Sequence, residues 1–182
     1  MRNVTMKKLP IIALLLLPIA GSSQVITFKK WQSSIAVAVG TNYNGMDYFV
    51  SYQNKIKNSP FGFYLMGTKG KENIKVKDAD YKKDVDGIFG GAGLYISLYD
   101  FIMPTPINIT AGVNVTYVNE KMKLNDGGEE RHSGVGNGLD ITIEYLLTKN
   151  FAIQLRQNLS LIYGSPFGKS RTSSGIGLNV YL

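Results

Sequence analysis

Apolar and polar residues alternate with a period of two through most of the chain. The clearest segment is 107–117, where Ile107, Val113 and Tyr117 fall on one face and Asn108 and Thr116 on the other. Successive side chains of a β-strand point to opposite sides, so this spacing predicts a strand rather than a helix. The same pattern, weaker in the first four cases, recurs at 35–41, 46–53, 61–68, 88–99, 139–147, 151–161 and 176–182. Eight strands without a long amphipathic helix predict an all-β fold, and 20 glycines suit a closed sheet with tight turns.

The polar face of these strands decides which side of the sheet is buried. Alternation alone fits a soluble barrel with an apolar interior as well as a membrane barrel with an apolar exterior. The polar positions here are mainly Asn, Thr, Ser, Gln and Gly, and we place only four charged residues well inside strands: Asp47, Asp140, Glu144 and Arg156. Strand faces in water usually carry Lys and Glu, whereas small uncharged groups suit a filled lumen. The pattern therefore predicts an eight-stranded antiparallel up-and-down transmembrane β-barrel with its aliphatic face towards lipid.

Aromatic residues concentrate near the ends of the predicted strands. In membrane barrels such residues form girdles at the two interfaces. The candidates are Trp31, Tyr43, Phe61, Tyr99, Phe101, Phe151, Tyr163 and Phe167.

The N-terminus has the features of a secretory signal. Arg2, Lys7 and Lys8 precede an apolar run at 9–20, and small residues at 21–23 offer a cleavage site. The apolar run is shorter than the roughly 20 residues that a spanning helix needs. We therefore expect a signal peptide at 1–23, export, and a barrel domain at 24–182.

The connections predict two different ends of the barrel. With a periplasmic N-terminus, the external loops are 42–45, 69–86, 119–137 and 164–171, and the internal turns are 54–60, 100–106 and 148–150. Apart from 42–45, the external loops are the longer ones, as in bacterial membrane barrels. The two segments of the chain that are densest in charged residues, 69–86 and 120–132, both fall on the external side. We expect them to be solvated loop surface.

One hairpin can be analysed residue by residue. If 148–150 form a three-residue loop with Asn150 in the left-handed conformation, the apolar sets of both strands stay on one side. Thr142 then lies opposite Arg156, and Asp140 and Glu144 become the diagonal neighbours of Arg156. We predict an interior cluster of these three charged residues that plugs a narrow lumen, because eight strands enclose only enough space for side chains.

The segment from Gly138 through Ile162, with its Thr148-Lys149-Asn150 turn, resembles the closing hairpins of the small outer-membrane β-barrel families related to the OmpX and OmpA transmembrane domains, including barrels of Bacteroidota. The resemblance extends as a pattern over the whole mature chain. It implies an outer-membrane location, a non-enzymatic structural, adhesion or surface-interaction role, and insertion by the barrel assembly machinery. Those families often end on an aromatic residue, whereas this chain ends on Leu182 after Tyr181.

Two other function classes stay open at this point. His132, Ser133 and Glu144 resemble the triad of the lipid A deacylase barrels, but Gly134 stands where the serine of that family would be. Adjacent strand residues such as His132 and Ser133 would also point to opposite faces. The other class is a soluble lipocalin-like carrier, which would enclose an apolar cavity.

Composition excludes several further chemistries. The chain has no cysteine and one histidine, so it offers neither disulfides nor a metal-ligand spacing, and we expect no metal or cofactor. The excess of 20 Lys and Arg over 13 Asp and Glu is mild and forms no basic stripe, so we expect no nucleic-acid partner. The expected partners are outer-membrane lipid and lipopolysaccharide, and the expected state is a monomer.

Overall fold

The computed structural model describes residues 33–42, 45–75, 82–101, 105–124, 127–165 and 170–182. They form a closed barrel in which eight antiparallel strands are neighbours in chain order and β8 pairs with β1. The strands are β1 (Ser33–Asn42), β2 (Met46–Lys55), β3 (Phe61–Lys75), β4 (Lys82–Ser97), β5 (Ile107–Lys123), β6 (Glu129–Leu146), β7 (Phe151–Ile162) and β8 (Ser170–Tyr181). The predicted number of strands and the predicted fold class are confirmed. The predicted signal peptide at 1–23 lies outside the described residues.

Burial alternates along the strands with the polar side chains inside. In β7 every second residue is exposed, beginning with Phe151, and the residues between them are buried. Leu155 is 51% exposed on the outside, whereas Arg156 is 5% exposed inside. The buried wall also holds Asn108, Thr110, Asn114, Thr116, Asn158, Ser160 and Asn179. A lipocalin-like carrier with an apolar cavity is therefore not what this sequence builds.

The outer wall is a continuous band of aliphatic side chains. Val37, Val50, Leu94, Val115 and Leu178 are each at least half exposed. The exposed set continues with Ile35, Val39, Leu65, Val113, Val135, Leu139, Ile141, Ile143, Leu159, Leu161 and Ile176. We call this band the apolar belt.

Four of the eight girdle candidates are strongly exposed at the ends of the belt: Phe61, Phe101, Phe151 and Tyr163. Tyr99 was wrongly assigned to the girdle, because it packs against the interior cluster of Leu146, Ala152 and Tyr181. It follows β4 in a short 3-10 segment, Leu98–Phe101. Trp31, Tyr43 and Phe167 lie outside the described residues.

Strands β3 to β6 are longer than predicted. They have 15, 16, 17 and 18 residues, whereas the other four have 10 or 12. Much of the predicted loops 69–86 and 119–137 is therefore sheet. Charged residues have low strand propensity, but some opposite charges face each other here, as Lys71 faces Asp86 and Lys123 faces Glu129. Such cross-strand pairs and the continuing backbone ladder extend the sheet beyond the apolar belt.

The hairpin between β6 and β7 has the predicted register. Thr142 lies opposite Arg156, and the amide of Leu147 donates to the carbonyl of Phe151 over 2.9 Å. The left-handed conformation predicted for Asn150 is wrong, since Asn58 is the one non-glycine residue with positive φ in the described part of the chain. The Asn150 side chain instead donates to the carbonyl of Tyr181 over 3.0 Å, which ties this turn to the end of β8.

The seam between β8 and β1 requires a glycine. A β-carbon at Gly177 would lie 2.1 Å from the carbonyl oxygen of Val37 and 2.6 Å from the β-carbon of Ala38. The two strands that close the barrel therefore approach each other where no side chain separates them.

Among the described residues, no helix is long and apolar enough to cross a membrane.

Candidate functional site

The charged residues of the lumen form the site that the sequence singled out. Asp140, Glu144 and Arg156 are all buried, at 7%, 1% and 5% exposure. Arg156 donates from Nε and Nη2 to Oδ2 of Asp140 over 2.8 and 2.6 Å. Asn158 donates to the same oxygen over 3.1 Å. The structure thus brings Arg156 and Asp140 together on neighbouring strands, as the register requires.

Arg156 also reaches the opposite wall of the barrel. Its Nη2 contacts the sulfur of Met66 at 3.2 Å, and its guanidinium carbon lies 4.9 Å from the ring centroid of Phe49. A guanidinium over an aromatic face is an attractive cation–π contact. One side chain on β7 therefore contacts β2, β3 and β6 and occupies the middle of the lumen.

Glu144 has partners of its own, and the prediction that it joins Arg156 and Asp140 is corrected in this respect. Its carboxylate accepts hydrogen bonds from Asn108 over 2.7 Å, from the hydroxyl of Tyr181 over 2.8 Å, and from Asn179. A diagonal position across the hairpin brings Glu144 near Arg156 but does not ensure a hydrogen bond between them. The donors on β5 and β8 satisfy this carboxylate, while Asp140 satisfies the guanidinium.

A second buried ion pair was missed by the sequence analysis. Arg171 on β8 donates from Nε to Oε1 of Glu120 on β5 over 3.1 Å, and Ser165 donates to Oε2 over 2.8 Å. β5 and β8 are not neighbours in the sheet, so this pair spans the lumen. Both charged residues had been assigned to loops. The alternation along β5 could have revealed Glu120, because this residue continues the inward-facing even positions that include Asn114 and Thr116.

In the part of the lumen that the structure describes, a small cavity lies beside these charged groups. A cavity of about 30 Å³ is lined by Asp47, Phe49, Met66, Asn158 and Arg171, among others. A buried water needs about 10–15 Å³ of such volume, so this space suits a water or two rather than a solute. The interior is a packed polar core.

The hydrolase triad is not assembled. His132 has its ring inside the barrel, where a β-carbon at Gly134 would lie 3.0 Å from its Nε2. Ser133 is exposed on the outside, and Glu144 is fully buried among other partners. A general base must reach the hydroxyl that it activates, and these side chains lie on opposite faces of one strand. Within the described ranges, no group of three or more His, Asp or Glu residues is placed to hold a metal ion.

Comparison with known proteins shows similarity at the level of the fold. The chain is similar to Neisserial surface protein A (TM-score 0.60, 18% identity, 83% of this chain and 95% of that one). It is also similar to a major outer membrane protein of Thermus thermophilus (TM-score 0.62, 10% identity, 85% and 100%). A third similar structure is Ail, the attachment invasion locus protein of Yersinia pestis (TM-score 0.54, 12% identity, 84% and 99%). No protein-family model and no curated protein sequence matches the chain.

Proposed function

We propose that the mature chain is a non-enzymatic integral protein of the Gram-negative outer membrane with a side-chain-filled lumen. The observation that carries this proposal is the orientation of the wall, with aliphatic side chains exposed outside and polar side chains buried inside. Soluble monomers rarely expose contiguous apolar patches larger than a few hundred Å². An apolar belt around a closed sheet is stable in lipid, where the backbone groups of the barrel pair with each other and leave no open edge.

The two ends of the barrel support an assignment of sidedness. The longer strands β3 to β6 extend at one end, where Lys71, Lys121 and Arg131 are exposed. The other end has short turns such as 147–150. We assign the charged end to the cell exterior and the end with short turns to the periplasm, which agrees with the arrangement of bacterial barrels. Export by the predicted signal peptide, insertion by the barrel assembly machinery and a monomeric state belong to the same proposal.

The role of such a barrel is structural or lies in surface interaction, including adhesion. Three features support this role: the packed lumen, the position of His132 and Ser133 on opposite faces of β6, and the charged extension of the sheet at one end. The printed name of Ail refers to attachment and invasion, so at least one protein of this shape is associated with surface contact. The contacts of the present chain would be made by its exposed charged end.

Envelope fractionation tests the membrane assignment. The full chain, including residues 1–23, is expressed in a Gram-negative host, and its distribution is followed with its migration on gels before and after heating. We expect the protein in the outer-membrane fraction, extraction only by detergent, and faster migration of the unheated barrel. Recovery of folded protein in aqueous buffer without detergent would contradict the proposal.

A further inference from the structure

A hollow lies on the outer wall of β3, β4 and β5, just beyond the apolar belt. It has a volume of about 250 Å³ and is lined by Lys69, Lys71, Asp86, Gly87, Ile88, Asn119 and Lys121. Six of these residues, all except Gly87, form two rows across the three strands. Lys71 faces Asp86, which faces Lys121, and in the next row Lys69 faces Ile88, which faces Asn119. We call this feature the basic hollow.

Positive charge prevails in the basic hollow. Three lysines stand against one aspartate, and the contact between Lys71 Nζ and Asp86 Oδ1 is 3.8 Å long with the lysine side chain 75% exposed. Such exposed pairs hold each other weakly. The neighbouring Glu129 brings a second negative charge, but it brings a further cation with it, because its carboxylate accepts a 3.0 Å hydrogen bond from Arg131. That bond, together with the charge of Lys121, lowers the pKa of Glu129 at the tip of the extended sheet.

The outer wall between the basic hollow and the middle of the barrel carries several small residues. In the next row towards the belt, Gly67 faces Gly90, and in the row after that Leu65 faces Ala92. Packing of the barrel does not require the glycine at 90, since a β-carbon there would have nothing within 4 Å. Gly67, Gly90 and Ala92 therefore form a shallow track on the outer wall, flanked by the exposed side chains of Leu94, Val115 and Tyr117.

We propose that the basic hollow binds a phosphate on the headgroup of an outer-leaflet lipid, with an acyl chain of that lipid lying along the track. This inference rests on the proposed function, because it requires the belt to lie in a membrane. Lysine ammonium groups bind phosphate as point charges, and the amide of Asn119 adds a donor. Small-molecule pockets usually measure about 300–1,000 Å³, so the hollow suits a headgroup phosphate with its sugar rather than a whole lipid. The adjoining apolar track favours a lipid over a sulfated polysaccharide, which has no acyl chain.

Lipid binding in nanodiscs tests this assignment with a charge-matched control. The refolded chain is incorporated into phosphatidylcholine nanodiscs with increasing amounts of bisphosphorylated lipid A, and bound lipid A is counted by native mass spectrometry. The double variant Lys69→Gln/Lys121→Gln removes two charges from the basic hollow. The control Lys57→Gln/Lys149→Gln removes two charges from exposed positions at the other end of the barrel.

We expect Lys69→Gln/Lys121→Gln to weaken lipid A binding about 10-fold to 30-fold, since each lysine near an anionic surface contributes on the order of 1 kcal/mol. The control should bind like the unaltered chain. Gly90→Leu, which keeps the charges but fills the track, should also weaken binding. Dephosphorylated lipid A should bind equally weakly to the unaltered chain and to both lysine variants.

Other outcomes overturn the inference. Equal lipid A binding by Lys69→Gln/Lys121→Gln and the control would remove the hollow as its site. Competition by inorganic phosphate at the same concentration as lipid A would show that the occupant is not a lipid. The same conclusion would follow if the double variant lost binding of a sulfated oligosaccharide but kept binding of lipid A. Failure of the unaltered chain to insert, seen as the absence of heat-dependent migration, would instead contradict the proposed function.

Discussion

Buried charges inside the barrel are stable only as long as they have partners. Asp140 and Arg156 share two hydrogen bonds and are only 7% and 5% exposed. Removing one partner of such a pair leaves the other charge buried and uncompensated, which costs far more than the net contribution of the pair. Residues of the lumen should therefore respond to single and double substitutions in different ways.

Arg156→Met should reduce the free energy of unfolding by about 3–5 kcal/mol, because Asp140 loses its counter-charge. Adding Asp140→Asn should recover part of this loss, since the remaining amide carries no charge. The measurement is a urea titration in lipid vesicles, with the folded fraction determined from the heat-dependent gel shift.

Arg131→Met is the control for that substitution, because the Arg131 side chain is 73% exposed in its pair with Glu129. It should change the free energy of unfolding by no more than about 1 kcal/mol. Equal effects of Arg156→Met and Arg131→Met would show that the lumen pair is solvated.

The sequence could predict some of these contacts and not others, for a geometric reason. The pair of Arg156 and Asp140 follows from the register of one hairpin, which can be counted along the chain. The partners of Glu144 and the pair of Glu120 with Arg171 involve strands that are distant in sequence. Such contacts depend on the diameter of the closed barrel and on the tilt of its strands, and neither is encoded in a local pattern.

At the scale of the strands, alternation located all eight elements but not their ends. Predicted and observed limits agree closely for β7, whereas β3 to β6 extend well into segments rich in Lys and Glu. The low strand propensity of their charged residues led to the prediction that those segments are loops. The ladder continues through them because cross-strand partners are present on both sides, and this depends on neighbours rather than on the segment itself.

The seam between β8 and β1 gives a prediction at this scale. Gly177→Ala should destabilise the barrel by about 1–3 kcal/mol, because the added methyl group would overlap the backbone of β1. Gly90→Ala is the matched control, since its methyl group would meet no atom within 4 Å. The measurement is again urea unfolding in vesicles. An equal response of the two variants would contradict the close approach at the seam.

For the whole molecule, the decisive sequence property was the absence of charge from most strand positions. Lipid-facing walls exclude charge because it is costly there, and a narrow lumen takes up a charged side chain only where a partner lies within reach. Together these two constraints predicted which face points outward. They could not predict the basic hollow, because its lysines had been assigned to a loop and acquire their positions only through the extended pairing of β3, β4 and β5.

Orientation of the wall is the central claim, and lipid accessibility along β5 tests it most directly. The chain has no cysteine, so single-cysteine variants from Ile109 to Tyr117 can carry a nitroxide label in refolded, bilayer-inserted barrels. Electron paramagnetic resonance then compares the collision of each label with oxygen, which dissolves in lipid, and with a water-soluble nickel complex. We predict a period of two, with oxygen collisions highest at the odd positions such as Val113 and lowest at the even positions such as Asn114. A flat profile, or maxima at the even positions, would contradict the account.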